Sequence, residues 1–432
     1  MNQSRYPSRF PTRFPIALGI LSLLLALLLA GCAVPPPPVA QEAPSAQAQA
    51  ESPPQAQPLT RNITEGCVEN YDPTVDYFPE KVTVEEATGF QVEYFNNYKV
   101  VTVTKPWQGA EEGFQYVLVQ CGTPAPEGFD PASVIQVPIR SIVAMSTTYL
   151  PHLDALGLVD RLVGLDSFTY VNTPSVVERI QAGELAEVGF GSGVNVELVL
   201  DLNPDLVMTY GIGVPDYDAH PKLLEAGVKV AINGDFMENT PLGRTEWGKF
   251  LALFFNREGD AQAIFQKTAQ EYRELTALAA SATERPTVLV GSVFNGTWYV
   301  AGGQSYTARF LADAGSSYLW ANEGEAGSIP LDFESVFDKA ADAEFWVNPS
   351  NAMWMTAADV LATDERYGDF RAFQEGHLYN NNLRVNENGG NDYFETGVAK
   401  PQLVLKDLIA IFHPELLPDH ELFFYRQIAP VE

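Results

Sequence analysis

The stretch that decides the fold is residues 258–283, with the sequence EGDAQAIFQKTAQEYRELTALAASAT. Its stripe of mainly apolar side chains recurs at steps of three and four, the period of a helix face and not of a strand. The stripe consists of Ala261, Ile264, Phe265, Thr268, Tyr272, Leu275 and Ala279. No Gly or Pro interrupts the chain between Gly259 and Pro286. The pattern therefore predicts one helix of roughly 35 Å, at about 1.5 Å per residue.

Short apolar segments alternate with helical patterns on both sides of this helix, which predicts parallel sheets with helices on their faces. Residues 194–207 and 331–347 share one order: a loop, a helix with Glu in its first turn, an Asp and a strand. This repetition favours an α/β fold of two similar lobes joined by one long rigid helix. The alternative is an ordinary amphipathic helix within a single domain.

The predicted organisation has six parts. They are a lipoprotein signal (1–32), a linker rich in Pro, Ala and Gln (33–60), a β-rich appendage (61–136), an N-terminal lobe (137–256), the inter-lobe helix (257–285) and a C-terminal lobe (286–432). Residues 91–121 alternate as strands around Asn96-Asn97, which is typical of hairpins. Trp107 is expected to pack on its own hairpin rather than to line a ligand site.

The first 32 residues have the features of a secretory signal. Three Arg precede an apolar run over 16–30, and Leu29-Ala30-Gly31-Cys32 ends it. A Cys at that place is typical of a bacterial lipobox, so we expect Cys32 to carry the lipid anchor. The alternative is a signal-anchor helix, but the run is short for a span of about 20 residues. The mature protein is then extracytoplasmic, in the periplasm or at the cell surface, and held by its lipid.

The net charge of −29 makes nucleic acid or an anionic membrane face an improbable partner. Two cysteines remain besides Cys32. Outside the cytoplasm an even pair favours a disulfide, so Cys67 and Cys121 are expected to be bonded.

Neither a bare metal site nor an enzyme is favoured. The five His are scattered, at His152, His220, His377, His413 and His420, without paired ligand spacing. No GxSxG, HExxH or phosphate-binding P-loop occurs. An extracytoplasmic enzyme and a structural surface protein remain as alternatives from other classes.

Several motifs together resemble the substrate-binding proteins of ABC importers for iron–siderophore complexes and vitamin B12. They are residues 138–146, Arg161-Leu162-Val163-Gly164, Asn195-Val196-Glu197 with Asn203-Pro204-Asp205-Leu206-Val207, and residues 226–230. Residues 241–247 and 386–395 are similar to those of a subgroup described as iron-complex binders. The likeness begins near Val137 and leaves out the β appendage.

The resemblance implies two lobes joined by a rigid helix, with a shallow ligand cleft between them and little hinge closure. It also implies one surface Glu per lobe that engages Arg residues of an ABC permease, which works with its ATPase. By position these are Glu197 and Glu334. The alternative for each is a helix N-terminal carboxylate without a partner.

A bulky ligand with an aromatic rim needs aromatic walls and a few polar anchors. The candidates for ligand contact are Tyr149, Tyr210, Trp298, Tyr306, Trp354, Arg384 and Tyr393. Each aromatic residue could instead belong to the core. Arg384, the single cation of an Asn-rich loop, suits carboxylate or catecholate oxygens, or it forms a salt bridge with Glu387, Asp392 or Glu395. Arg309 is a weaker second cation.

These features predict a monomeric, lipid-anchored solute-binding protein that captures a ferric siderophore-type complex and delivers it to an ABC permease. No cofactor is expected beyond that ligand. Cobalamin is the alternative within the same class of protein, followed by haem.

Overall fold

The computed structural model describes residues 58–428. The predicted lipoprotein signal with Cys32, and nearly all of the linker, lie outside these residues. In the described chain no helix is both long and apolar enough to cross a membrane. Four sheets are present, two of them five-stranded.

The β appendage contains a four-stranded sheet in the order β1-β2-β3-β4. The first three strands form antiparallel neighbours, and β4 runs parallel to β3. Apolar and polar side chains alternate along β1, as on a half-buried strand, whereas the last five residues of β3 are all buried. The strands are β1 (Phe90–Tyr94), β2 (Tyr98–Val103), β3 (Phe114–Gln120) and β4 (Val134–Val137).

The N-terminal lobe is an all-parallel sheet in the order β7-β6-β5-β8-β9 with helices between the strands. Its elements are β5 (Ile142–Ala144), α1 (Leu150–Ala155), β6 (Leu162–Leu165), α2 (Pro174–Gln181), β7 (Ala186–Glu187), α3 (Val196–Leu202), β8 (Leu206–Thr209), α4 (His220–Glu225), β9 (Val230–Ile232) and α5 (Pro241–Leu253). The central strands are buried on both faces, which explains their continuous apolar runs.

The long helix α6 (Glu258–Ala279) follows, four residues shorter at its C-terminal end than the predicted 258–283. Ala261 packs in the core of the N-terminal lobe, whereas Phe265, Ala269 and Tyr272 pack in the core of the C-terminal lobe. The stripe residues therefore touch one core and then the other. The prediction of a rigid helix that joins two lobes is confirmed.

The C-terminal lobe has a five-stranded sheet in the order β13-β10-β15-β16-β17, parallel except for β17. A small antiparallel sheet, β11-β12-β14, lies beside it. The elements are β10 (Thr287–Val290), β11 (Val293–Phe294), β12 (Thr297–Ala301), α7 (Tyr306–Asp313), β13 (Ser317–Tyr318), β14 (Ser328–Leu331), α8 (Phe333–Ala340), β15 (Phe345–Val347), α9 (Ala357–Thr363), α10 (Arg371–Gln374), β16 (Leu378–Asn380), α11 (Thr396–Ala399), α12 (Pro401–Phe412) and β17 (Arg426–Ile428).

The internal repetition in the sequence corresponds to equivalent places in the two lobes. Helix α3 leads into β8, which pairs with β5, the first strand of its lobe; α8 leads into β15, which pairs with β10 in the same way. Asn195 caps α3 and Asp332 caps α8, each accepting from the amide three residues ahead. The two lobes are thus built on one pattern, as predicted.

The appendage is not a separate module, because it shares a core with the N-terminal lobe. Phe90 of β1 packs against Trp247 and Phe250 of α5, with ring centroids 4.9 and 5.6 Å apart. Cys67 and Cys121 form a disulfide with Cα atoms 4.9 Å apart, which ties the segment before the sheet to its third strand.

Candidate functional site

A cavity of about 900 Å³ opens between the lobes. The N-terminal lobe contributes Phe236, Glu238, Asn239 and Arg244 to its wall. The C-terminal lobe contributes the rest. These residues come from the loops that follow β10 and β15, from β12, from the start of α7, from residues 326–328 and from residues 393–398. Loops that follow parallel strands are the usual ligand sites of such sheets, and the volume lies in the range of small-molecule sites.

The rim of the cavity is apolar and open to solvent. Phe294 is 67% exposed, Met353 78% and Phe394 51%. Tyr299 and Phe236 lie near the same opening and are also solvent-exposed. Large apolar side chains held in water around a cavity indicate a binding surface and not a core. The rim suits a bulky ligand with flat or apolar faces.

Arg244 is the cation of this site. It lies four residues into α5, and its guanidinium stacks on the Tyr306 ring of the opposite lobe, 4.1 Å from the ring centroid. Nη2 donates to the carbonyl of Phe236 at 2.9 Å, and Nε donates to the carbonyl of Glu238 at 3.3 Å. Arg244 forms no salt bridge with a carboxylate within residues 58–428, and it belongs to the lining of the cavity.

Glu238 also lines the cavity, but its carboxylate is occupied. It accepts from the backbone amides of Thr88 and Gly89 at 2.8 and 2.7 Å, and from the indole of Trp247 at 3.1 Å. These donors belong to a turn of the β appendage and to α5. Glu238 therefore fixes the wall in place and is not a free anion for a ligand.

The C-terminal lobe contributes neutral polar side chains to the lining. They include Asn348 and Asn351 of the loop that follows β15, and Ser292 of the loop that follows β10. Asn348 donates weakly to the hydroxyl of Tyr393 at 3.4 Å, and its buried Oδ1 atom has no hydrogen-bond partner among the described residues. Buried polar groups are normally hydrogen-bonded, so Asn348 has spare neutral hydrogen-bonding capacity.

Two carboxylates lie behind the N-terminal wall. Burial raises the pKa of Asp166, which follows β6, to about 6. Burial also raises the pKa of Asp235, opposed by a hydrogen bond from Thr148 and by the charge of Arg244. Both carboxylates raise the pKa of Tyr149, after burial as the main cause. Burial therefore favours the neutral form of both carboxyl groups, and the charge of Arg244 opposes this pKa shift at Asp235.

The structure places some of the predicted ligand residues in or beside the cavity and buries others in the cores of the lobes. Tyr306 and Tyr393 line the cavity, and Tyr210 lies next to cavity residue Phe236, with ring centroids 6.4 Å apart. Trp298 and Trp354 are fully buried in the C-terminal core, which corrects their assignment as ligand contacts. Their indoles donate to the carbonyl of Val290 and to the hydroxyl of Thr363. Tyr149 is 1% exposed and also belongs to a core, which corrects its assignment too.

The predicted cations are likewise committed elsewhere. Arg384 donates to Asp392 at 2.7 Å and stacks over Phe423, so the salt-bridge alternative is the one observed. It does not belong to the cavity lining, which corrects its prediction as the ligand anchor. Arg309 pairs with Asp313 at 2.8 Å.

Sequence reasoning missed Arg244, although it lies in the quoted segment 241–247. The available signal was that no acid stands three or four residues from it to pair along the helix.

The loop that carries Arg384 joins the lobes instead. Glu395 accepts from the amides of Asn172 and Thr173 in the opposite lobe at 2.8 and 2.7 Å. Asn386 donates to the carbonyls of Thr169 and Val171 at 3.1 Å. These bonds close one side of the cleft and restrict the relative motion of the lobes.

Over residues 58–428, His, Cys, Asp and Glu form no group that could hold a metal ion.

Comparisons with known proteins agree with this architecture. A model of the family described as periplasmic binding protein matches residues 142–381. The uncharacterized lipoprotein MJ0878 of Methanocaldococcus jannaschii is 26% identical over 309 residues, which cover 68% of this chain and 70% of that protein.

Solved structures show the same fold. A periplasmic binding protein from Veillonella parvula aligns with a TM-score of 0.51 at 16% identity, over 76% of this chain and 95% of that one. A periplasmic heme binding protein from Pseudomonas aeruginosa aligns with a TM-score of 0.50 at 22% identity, over 68% and 99%.

Two α/β lobes, a helical connection and a cavity between them define a solute-binding protein of the helical-backbone class. The chain belongs to the periplasmic binding protein family, whose members serve ABC importers, as the sequence resemblance predicted. Members of this family bind and transport solutes, in contrast to the enzyme alternative.

Proposed function

We propose that this protein captures a ferric siderophore-type complex in the inter-lobe cavity and delivers it to an ABC permease. The observation that carries the proposal is the combination of a roomy cavity of about 900 Å³, an exposed aromatic rim and one cation held over Tyr306. A chelate of this kind presents flat or apolar faces to the rim and oxygen atoms to Arg244. The protein acts outside the cytoplasm, tethered by lipid at Cys32.

The charged residues of the cavity favour a chelate without net charge. Arg244 and Glu238 are the ionic residues among those described in its lining, and Asp235 lies directly behind. One guanidinium, partly engaged with backbone carbonyls and accompanied by the Glu238 carboxylate, cannot neutralise a trianion. The neutral polar side chains of the lining, among them Asn348 and Asn351, suit neutral oxygen and nitrogen atoms. A ferric trihydroxamate, which has no net charge, therefore fits better than a trianionic ferric tricatecholate.

A flat metal macrocycle is the second candidate, as cobalamin or haem. The feature that favours it is the row of exposed apolar side chains at the rim, Phe294, Met353 and Phe394. Cobalamin carries amide groups that suit the neutral polar side chains of the lining. Haem brings two carboxylates, and Arg244 is the one cation among the described lining residues.

A binding panel tests the ligand. We expect a neutral ferric trihydroxamate to quench tryptophan fluorescence and to raise the melting temperature, with a dissociation constant at least about tenfold below that of a ferric tricatecholate. That ratio corresponds to about 1.4 kcal/mol. Arg244→Gln is expected to weaken binding of both, while Arg309→Gln, a paired cation outside the cavity, is the matched control. Absence of quenching and of any thermal shift with both chelates, cyanocobalamin and haem would overturn the proposal.

Glu197 and Glu334 are proposed to dock the two lobes on the permease. Both are exposed and stand in the first turns of the equivalent helices α3 and α8. Glu334 lies 3.2 Å from Arg366, so a permease arginine has to compete with an internal one. Two carboxylates held at a fixed distance by α6 give a spacing that two partner arginines can recognise.

Reversing both charges, Glu197→Lys with Glu334→Lys, is expected to abolish uptake of the bound complex and to leave its affinity unchanged. Uptake by cells that lack the native gene and chelate binding by the purified variant are the two measurements. The matched control is Asp201→Lys with Asp338→Lys, two other exposed acids on the same helices. Equal uptake by the two double variants would remove the docking role.

A further inference from the structure

The β appendage lies outside the matched family residues, yet at two places it packs against segments that adjoin or form the N-terminal wall of the cavity. The first is Trp107, in the loop between β2 and β3. Its indole stacks on His220 at the start of α4, with ring centroids 5.4 Å apart and an interplanar angle of 27°. It also packs on Phe114 of its own hairpin, at 5.7 Å. Trp107 therefore bridges from the appendage to the N-terminal lobe.

The surface that Trp107 meets is the loop that follows β8, residues 210–218. A Cβ atom added at Gly213 would lie 2.5 Å from the indole Nε1, and one at Gly211 would lie 2.9 Å from the ring. Only glycine allows this approach, and Gly213 also has a positive φ of 80°. On the inner side Asp218 accepts from the amides of Ile212, Gly213 and Val214 at 2.8, 3.0 and 3.1 Å.

This loop is linked to the cavity through Tyr210. Tyr210 begins the loop, and its ring meets Phe236 edge to face. Phe236 lines the cavity and accepts a hydrogen bond from Arg244. A displacement of the loop would therefore remove the ring contact that supports Phe236, the residue whose carbonyl accepts from the guanidinium.

The second place is the turn at residues 85–89. Its amides satisfy two carboxylates of the N-terminal wall: Thr88 and Gly89 donate to Glu238, and residues 85–87 donate to Glu246 of α5. Glu246 is fully buried. Every residue that the N-terminal lobe gives to the cavity lies between Phe236 and Arg244, the segment that this turn holds.

We infer that the β appendage is the rigid backing of the cavity's N-terminal wall, and that Trp107 is a positioning residue for the ligand. The inference rests on the proposed function, since it assigns the wall to ligand binding. Pre-organising a wall reduces the ordering that binding would otherwise require, and its loss shows mainly in a faster dissociation rate. The appendage thus contributes to affinity without touching the ligand.

The test compares Trp107→Ala, Trp107→Phe and Phe95→Ala. Phe95 is the matched control, because it stacks on Tyr98 within the same sheet, at 4.4 Å, away from the cavity. We expect Trp107→Ala to raise the dissociation rate of a ferric trihydroxamate about tenfold. It should also speed hydrogen exchange at the amides of Ile212, Gly213 and Val214. Trp107→Phe should recover most of both effects, and Phe95→Ala should show neither.

The two readouts separate the two ideas. Unchanged exchange at these amides in Trp107→Ala, or equal changes in Phe95→Ala, would overturn the positioning role. If the unaltered protein binds no chelate, the proposed function fails, and the exchange measurement still decides whether the indole holds the loop.

Discussion

Replacing Lys99 by Met is expected to lower the free energy of unfolding by about 3–5 kcal/mol. Lys99 on β2 and Glu258 at the start of α6 form an ion pair in which both side chains are completely buried. Asn256 accepts from Lys99 at 3.0 Å, and Asn62 donates to Glu258 at 2.8 Å. Removing the ammonium leaves a buried carboxylate that keeps one neutral partner.

Urea unfolding of the purified mature chain measures this loss, with Lys81→Met as the control. Lys81 pairs with Asp76 near the same sheet, but that pair is exposed, so the expected change is about 0–1 kcal/mol. Lys99→Met combined with Glu258→Leu should regain most of the stability, because apolar substitutes often match a buried pair. A loss below about 1 kcal/mol in Lys99→Met would contradict the prediction.

Removing the disulfide, with Cys67→Ser and Cys121→Ser, is expected to cost about 4 kcal/mol. The bond closes a loop with a sequence separation of 54 residues, and chain-entropy arguments give this magnitude for such a loop. The cost arises mainly in the unfolded state, which gains freedom when the loop is opened. In the folded state Val68 still donates to the carbonyl of Cys121 at 2.9 Å.

Thermal unfolding with and without a reducing agent measures this effect. The reducing agent should lower the melting temperature of the parent protein and leave the double Ser variant unchanged. The disulfide and the buried ion pair should also couple, because Cys67 anchors the segment that carries Asn62, the partner of Glu258. A parent protein whose melting point does not move once its thiols are shown to be free would refute the prediction.

The local sequence pattern was sufficient to predict an element when its position depends on one helix face or on the order of neighbouring helices and strands. The stripe from Ala261 to Ala279 predicted α6 because a helix that bridges two cores must stay apolar along one face for its whole length. The repeated order around Glu197 and Glu334 predicted matched lobes, since each copy encodes the same helix and strand. A Cys pair outside the cytoplasm was enough for the disulfide.

The site needed more than pattern. Trp298 and Tyr306 are both aromatic residues near loops, yet one is enclosed by Tyr367 and Phe370 and the other faces the cavity. Burial depends on which distant segments cover a ring, and periodicity does not encode that. Arg384 has acids three and eight residues further on, Glu387 and Asp392, and pairs with the second. Arg244 has none at helical spacing.

By itself the sequence determined the class of fold, the long helix between two similar lobes, and the family. These features follow from periodicity and short motifs. Tertiary structure alone decided which aromatic residues are exposed to solvent and which arginine lines the cavity without a carboxylate partner. It also decided that Trp107 contacts His220 outside its own hairpin. These contacts join residues far apart in the chain, such as Arg244 with Tyr306, Trp298 with Tyr367, and Trp107 with His220. They depend on how the elements pack, whereas the elements themselves depend on their neighbours in the chain.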